Sequence, residues 1–359
     1  MRQVVPLGSA RRSVPAPRLA LLGTGVVGGA FVARHHRLRQ HNAGLPALGW
    51  LANSRTMQAC ADGPGEALRT ANAAPRGSIA LLHWAETDAL RRGDIVVDAT
   101  ASDSVAARYA RWLGRGVHVV TANKLGNGAT QARADAIATA IAATGARYGD
   151  SATVGAGLPL LHSLRALVAG GDRIHRIEGV LSGSLAWLFN NFDGTRAFSW
   201  LIGDALQRGY TEPDPRVDLS GEDVRRKLMI LARAAGIVLR DEDVQVDSLL
   251  ALAAVAAHEA APDRSWSELD APLSQRLREA RRAGQALRFL GRVDAHGASV
   301  GLFALQAQDP LMAGSGSDNC VAIYSDRYAE QPLLIQGPGA GPEVTAAALL
   351  DDVLRAVQR

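Results

Sequence analysis

Between Tyr210 and Lys227 the chain reads YTEPDPRVDLSGEDVRRK, with five carboxylates, four cationic side chains and two prolines in one stretch. Such a density is either a solvated turn or a site. The lysine at its end bears on the choice, because lysine occurs only at Lys124 and Lys227, against 37 arginines. Arginine stays protonated and carries a broad planar head, whereas lysine offers a compact ammonium whose pKa moves on burial. A chain that uses arginine wherever positive charge suffices, yet keeps two lysines, points to two positions that require a compact or titratable amine. Chance retention under a biased nucleotide composition is the plain alternative.

Pro213 and Pro215 stiffen the first half of the stretch. The spacing then predicts a helix from Gly221 to Ala235, N-capped by Ser220 in an S-x-x-D box with Asp223 and stopped by Gly236. Val224, Leu228, Leu231 and Ala235 form its apolar stripe. At about 100° per residue, Glu222 and Arg226 point away from the core as a solvated pair, while Asp223 and Lys227 border the stripe. With Glu212 and Asp218 from the loop, carboxylates converge around a partly buried ammonium. That constellation suits an amino acid's amine; a structural salt-bridge cluster would use the same residues.

A second constellation lies near the N-terminus. Gly23-Thr24-Gly25-Val26-Val27-Gly28 follows the apolar run RLALL and opens a helix-compatible segment. In a strand–turn–helix context such glycines let the backbone approach a pyrophosphate seated at the helix N-terminus. An NAD site would carry Asp or Glu roughly 20 residues onward, at the end of the second strand. Here no acid occurs before Asp62, and the strand ends Asn53-Ser54-Arg55, which suits the 2′-phosphate of NADP. Thr100 after DIVVDA and Asn123-Lys124 after VHVVT end further strands on the nicotinamide side.

The elements that must position these residues follow from patterning. From Arg18 short apolar runs alternate with helix-compatible ones, and continuous β-branched runs such as Asp94 to Ala99 read as strands buried on both faces. The expectation is an α/β protein with a Rossmann-type doubly wound parallel sheet. A chain of 359 residues, 47% apolar and 21% charged, has room for two cored domains at roughly 100 to 200 residues each.

The net charge of +4 is uneven: residues 1 to 61 hold eight arginines and no acid. No aromatic-interleaved basic run accompanies them, so a phosphate-bearing small ligand explains the surplus better than nucleic acid. Cys60 and Cys320 lack the spacing of a disulfide framework or zinc site and read as reduced thiols of a cytoplasmic enzyme. Arg18 to Ala33 mimics a signal peptide's basic and apolar regions, but its glycine spacing favours a strand–turn–helix. No window offers the roughly 20 apolar residues of a membrane span.

These residues together resemble homoserine dehydrogenase. GTGVVGG, TANK, VGAGLPL, GVLSGSLAWLFN, GYTEPDPRVDLSGEDVRRKLMILAR and GPGAGPEVTAA fall in that family's order, from about Arg18 to the C-terminus. The resemblance implies NAD(P)-dependent interconversion of L-homoserine and L-aspartate 4-semialdehyde on the route to threonine, methionine and isoleucine. It implies Lys227 as catalytic lysine, Lys124 near nicotinamide and substrate, and Glu212 and Asp223 on the substrate's amino group, with Asp218 another acid of the block. Thr24, Gly25, Val26, Thr100 and Gly341 match cofactor contacts; Gly23, Gly28, Asn53 and Arg55 complete the expected NADP(H) site.

The resemblance further implies a Rossmann domain of residues 18–150 and 336–359, closed by a final helix from Val344 to Gln358. An α+β catalytic and dimerisation domain of residues 151–335 would form a homodimer, and residues 1–17 are an extension. The C-terminal portion is most similar to the dehydrogenase part of bifunctional aspartokinase-homoserine dehydrogenases, with no kinase ahead of it and no regulatory ACT domain behind. One departure stands out: Ser151 replaces a glutamate that several members carry near a monovalent cation. Na⁺ or K⁺ would then rest on the carbonyls of Val154, Ala156 and Leu158. Two other readings are another NADP-dependent amino-acid oxidoreductase, which would require ammonia, and a dinucleotide-sensing protein, which would bind cofactor without reducing a semialdehyde.

Overall fold

The computed structural model describes residues 16–42, 44–75, 90–256 and 266–358. All of the 1–17 extension except Ala16 and Pro17 lies outside them. Two six-stranded sheets organise the chain.

The first sheet comprises β1 (Arg18–Leu22), β2 (Ala47–Ala52), β3 (Met57–Ala59), β4 (Ile95–Asp98), β5 (His118–Thr121) and β6 (Tyr148–Gly149), in the order β3-β2-β1-β4-β5-β6. β2, β1, β4, β5 and β6 run parallel, as their unbroken apolar runs require, while β3 is antiparallel to β2. The expected all-parallel sheet is therefore mixed at one edge. The cause is local: Asn53 Oδ1 accepts from Arg55 N at 2.8 Å and Thr56 N at 3.0 Å, folding a tight turn too short for a crossover helix.

Both faces of this sheet are covered. Leu19 and Leu21 pack with Phe31 from the helix Val26–His41 and Leu349 from the helix Pro342–Val357. Ala20, Leu22 and Val96 face the other way, toward Tyr109, Trp112 and Ile137. The last helix of the chain thus shares a core with the first strand, and it packs along the helix Val26–His41. Leu19 through Leu22 are wholly inaccessible, so the segment that mimics a signal peptide is a central strand and the helix beside it.

The second sheet comprises β7 (Ile174–Val180), β8 (Val244–Val246), β9 (Gln285–Asp294), β10 (Gly297–Gln306), β11 (Asp318–Ser325) and β12 (Leu333–Pro338), in the order β12-β11-β7-β9-β10-β8. Only the β10–β8 pairing is parallel. One face buries Ile177, Phe289, Val293 and Val321 under helices that include Leu160–Ala169, Gly183–Asn191 and Glu222–Ala234. Each fully buried side chain of this size contributes about 1.5–3 kcal/mol, so this layer fixes the helix that carries Lys227. No helix among the described residues is long and apolar enough to cross a membrane.

Candidate active site

The turn after β1 is shaped by two glycines. Gly23 has φ +96°, and a Cβ on it would sit 2.7 Å from the Ala99 carbonyl oxygen. A Cβ on Gly28 would run into the Gly23 carbonyl, so the helix Val26–His41 can close on the turn only without it. Gly25, the N-cap, has open space above it, and Val26 stands 76% exposed. Here the helix presents free N–H groups to a cleft of about 570 Å³, which Gly23, Thr24, Gly25, Asn53, Arg55 and Thr100 line. Asn72, from the helix Pro64–Ala73, lines it as well. Thr24 Oγ1 donates to Asn72 Oδ1 at 2.7 Å, Asn53 Nδ2 donates to Thr24 Oγ1 at 2.8 Å, and Arg55 Nη1 donates to the Asn72 carbonyl at 2.9 Å. Arg55 is thereby held at the mouth, and no carboxylate lines this cleft among the described residues. The arrangement fits a nicotinamide dinucleotide.

Behind it sits a residue that sequence reasoning missed. Asp98, fully buried at the end of β4, accepts from Thr100 N at 2.7 Å, Tyr109 Oη at 2.5 Å and Asn123 Nδ2 at 3.2 Å. Burial pushes its carboxyl above the ordinary value, and the hydrogen bonds pull it back only in part. This hub ties the end of β4, with Thr100, to the end of β5, with Asn123 and Lys124. From sequence, Asp98 reads only as the polar end of an apolar strand.

A second cleft, of about 610 Å³, shares Thr100 and Ala101 with the first and gathers both lysines. Lys124 Nζ lies 3.2 Å from Asp223 Oδ1, and Lys227 Nζ lies 2.8 Å from Asp223 Oδ2 while donating to the Leu181 carbonyl at 2.7 Å. Lys227 is buried, at 8% exposure. Its burial lowers the pKa; the Asp223 carboxylate opposes this, the Lys124 ammonium adds to it, and the result is lowered. For Asp223, burial opposes ionisation, but the two ammoniums outweigh it and hold the carboxyl far below the usual range. A buried amine poised this way can exchange a proton with an oxygen in the cleft.

The remaining expected residues divide. Glu212 lines this cleft, as does Gly341, the N-cap of the helix Pro342–Val357 at φ +123°. Asp218 stands behind it: its carboxylate accepts from Ser184 Oγ at 2.6 Å and from Glu212 N at 2.9 Å, so it sets the loop that presents Glu212. Two local expectations are corrected. The N-cap is Gly221 at φ +78°, with the helix running Glu222–Ala234, because the chain enters it from a preceding helical turn, Arg216–Leu219; Ser220 Oγ accepts from Glu222 N at 3.2 Å, and Asp223 is taken by the lysines. Glu222 and Arg226 do point away from the apolar stripe, Glu222 exposed and Arg226 partly so, but they form no ion pair with each other, and both line the cleft.

The loop expected to hold a cation sits at the cleft's rim. Gly155 and Ala156 adopt positive φ, +71° and +48°, and Ala156 is the one non-glycine residue among those described to do so. The Leu158 carbonyl accepts from Leu160 N at 2.8 Å. Ser151, where the resemblance would place glutamate, donates from its N and Oγ to Asp352 Oδ2 and Oδ1, each at 2.9 Å. Next to it the buried Asp150 pairs with Arg165 at 2.7 Å.

Comparison with known proteins places this geometry. The family model described as homoserine dehydrogenase matches residues 159–354, and that described as homoserine dehydrogenase, NAD binding domain, matches residues 23–149. The homoserine dehydrogenase of Paracoccidioides brasiliensis is 38% identical over 277 residues, covering 74% of each chain. The chloroplastic bifunctional aspartokinase/homoserine dehydrogenase 2 of Zea mays is 38% identical over 351 residues, which are 94% of this chain and 38% of the maize protein. The chain thus spans little more than a third of that relative. Among solved structures, a Candida auris protein described as of unknown function superimposes with a TM-score of 0.82 at 34% identity, covering 95% of this chain and 98% of that one. A hyperthermophilic archaeal homoserine dehydrogenase in complex with NADPH shares the fold, with a TM-score of 0.72 at 20% identity and coverage of 95% and 97%.

Proposed function

The chain belongs to the homoserine dehydrogenase family, and on that premise we propose that it interconverts L-aspartate 4-semialdehyde and L-homoserine, using NADP(H) in preference to NAD(H), in the formation of threonine, methionine and isoleucine. The observation that carries this reading is Lys227: a buried ammonium with a lowered pKa, 2.8 Å from Asp223, in a cleft that shares Thr100 and Ala101 with the glycine-lined one. When bound, the nicotinamide supplies or accepts the hydride.

The chain's own residues manage charge and protons. In the reductive direction Lys227 Nζ gives a proton to the oxygen that becomes the alcohol, and its positive charge stabilises that oxygen as negative charge develops. In the oxidative direction the neutral amine removes the same proton. Lys124, on the other side of Asp223, orients and polarises the carbonyl. Glu212 receives the substrate's ammonium, with Asp218 holding its loop; Asp223 has both oxygens engaged by lysines and serves chiefly to set their protonation.

Preference for the 2′-phosphate rests on Arg55, fixed by the Asn72 carbonyl, and on the acid-free lining. Val26 and Gly341 contact the cofactor from the two helix N-termini. With Ser151 in place of a carboxylate and engaged by Asp352, a monovalent cation near it would rest on the carbonyls of Val154, Ala156 and Leu158 alone. We assign residues 18–150 with 336–359 to the nucleotide domain and 151–335 to the catalytic domain. The latter forms a cytoplasmic homodimer through the outer face of the second sheet, where Leu290, Leu305 and Ala322 lie under Phe303 and Tyr324. The deciding test is NADPH oxidation on addition of L-aspartate 4-semialdehyde; absence of turnover by the folded protein would refute the reading.

A further inference from the structure

The charges of the catalytic cleft fall into two groups. Lys124, Asp223 and Lys227 form a closed set, each satisfied by the others or by the Leu181 carbonyl. Glu212, Glu222 and Arg226 also line the cleft, and their side chains have no hydrogen bond or ion pair among the described residues. Glu222 and Arg226, four apart on one helix, do not pair with each other. A site that leaves carboxylates and a single guanidinium open is complementary to a zwitterion.

From this we propose that Arg226 binds the substrate's α-carboxylate and so restricts the site to α-amino acids. The inference rests on the dehydrogenase reading above and adds a residue to it. The guanidinium fork matches a carboxylate through two parallel hydrogen bonds, which neither lysine can offer. Recruiting Lys124 or Lys227 for that task would draw it from Asp223 and disturb the proton-transferring amine. The cofactor's phosphates have their own place at Gly23–Gly25, in the cleft that Arg55 lines and Arg226 does not.

The backbone beneath Arg226 is fixed even though its head is free. A Cβ on Gly128 would lie 3.1 Å from the Arg226 carbonyl oxygen, so the helix sits directly on the turn that Gly128 N closes onto the Lys124 carbonyl at 2.7 Å. The half-buried side chain therefore starts from a rigid point one residue before Lys227. Binding a carboxylate there places the rest of a short amino acid within reach of both lysines.

The experiment compares L-homoserine with 3-aminopropan-1-ol, the same molecule without its carboxylate, in wild type, Arg226→Gln and Arg226→Lys with NADP⁺. Removing the carboxylate from the substrate and removing the guanidinium from the protein should each lower kcat/KM by about 10- to 100-fold, the range expected for a charged hydrogen bond. Made together, the two changes should cost no more than about threefold beyond either alone, since they delete the same contact. Arg226→Lys should recover part of the loss on homoserine, KM for NADP⁺ should stay within about twofold, and circular dichroism should match wild type. Losses that multiply, or a normal kcat/KM of Arg226→Gln on homoserine, would overturn the assignment while leaving the activity standing. Failure of wild type to oxidise homoserine at all would remove the activity and the assignment together.

Discussion

Ser151 and Asp352 are 201 residues apart and joined by two hydrogen bonds, from the serine's N and Oγ to the two oxygens of the carboxylate, each 2.9 Å long. The last helix of the chain thereby pins the loop that leads into Thr153 and Ala156 at the cleft's rim. Burial raises the Asp352 pKa, and the Ser151 contacts counter this only in part. A loop held by protein hydrogen bonds has little need of a metal. Activity should therefore change by less than about twofold when NaCl or KCl replaces a bulky organic cation at fixed ionic strength. Strong activation by one ion would show that backbone carbonyls suffice to bind it.

Arg55 and Asn72 lead to a prediction on cofactor choice. Because the Asn72 carbonyl fixes the guanidinium at the mouth of an acid-free cleft, wild type should prefer NADP by kcat/KM. Arg55→Ala should reduce that preference by about 10- to 100-fold, the usual range for a hydrogen bond to a charged group, with the loss on the NADP side alone. Equal use of the two cofactors by wild type, or an unchanged ratio in the variant, would contradict this.

The pH dependence follows from the signs at Lys227. Burial lowers its pKa, and the Asp223 carboxylate, by favouring the ammonium, works upward. Homoserine oxidation needs the neutral amine, so kcat should rise with pH through a limb lying below the ordinary lysine range. Asp223→Asn removes the charge that favours protonation. The limb should then move to lower pH, whatever happens to the maximal rate. An upward shift, or none, would show that another group titrates.

Much of this was legible in the sequence, and the gaps have particular causes. The glycine turn and the buried parallel strands were readable because they rest on local spacing and periodicity, whereas the final helix was implied by the family resemblance. The antiparallel β3 was not, since Asn53 was weighed for its place beside the cofactor and not for the turn its side chain closes. A helical wheel reports direction relative to the helix's own stripe and says nothing of what stands opposite; Glu222 and Arg226 were thus read as an outward pair, when they stay unpaired and also line a cleft. Asp98 and Asp352 acquire meaning only from partners brought to them by the fold, across distances no spacing rule spans.

The Tyr210–Lys227 stretch makes its sharpest claim at Lys227. If the residue only held positive charge beside Asp223, Lys227→Arg should keep much of the activity, because the chain places arginine freely at 37 other positions. Lys227 Nζ, however, reaches both Asp223 and the Leu181 carbonyl at under 3 Å inside a buried space, which a guanidinium is too broad to share. A guanidinium also stays protonated at any working pH, so it cannot exchange the proton in either direction. The loss should appear chiefly in kcat, by about 10² or more, as expected when a general acid is removed. Arg282→Lys, the opposite exchange at an exposed site on the helix Asp270–Arg282, should stay near wild type. Nearly normal kcat in a folded Lys227→Arg protein would dismiss Lys227 as the proton donor. Lys124, the chain's one other lysine, would then be the group to replace next.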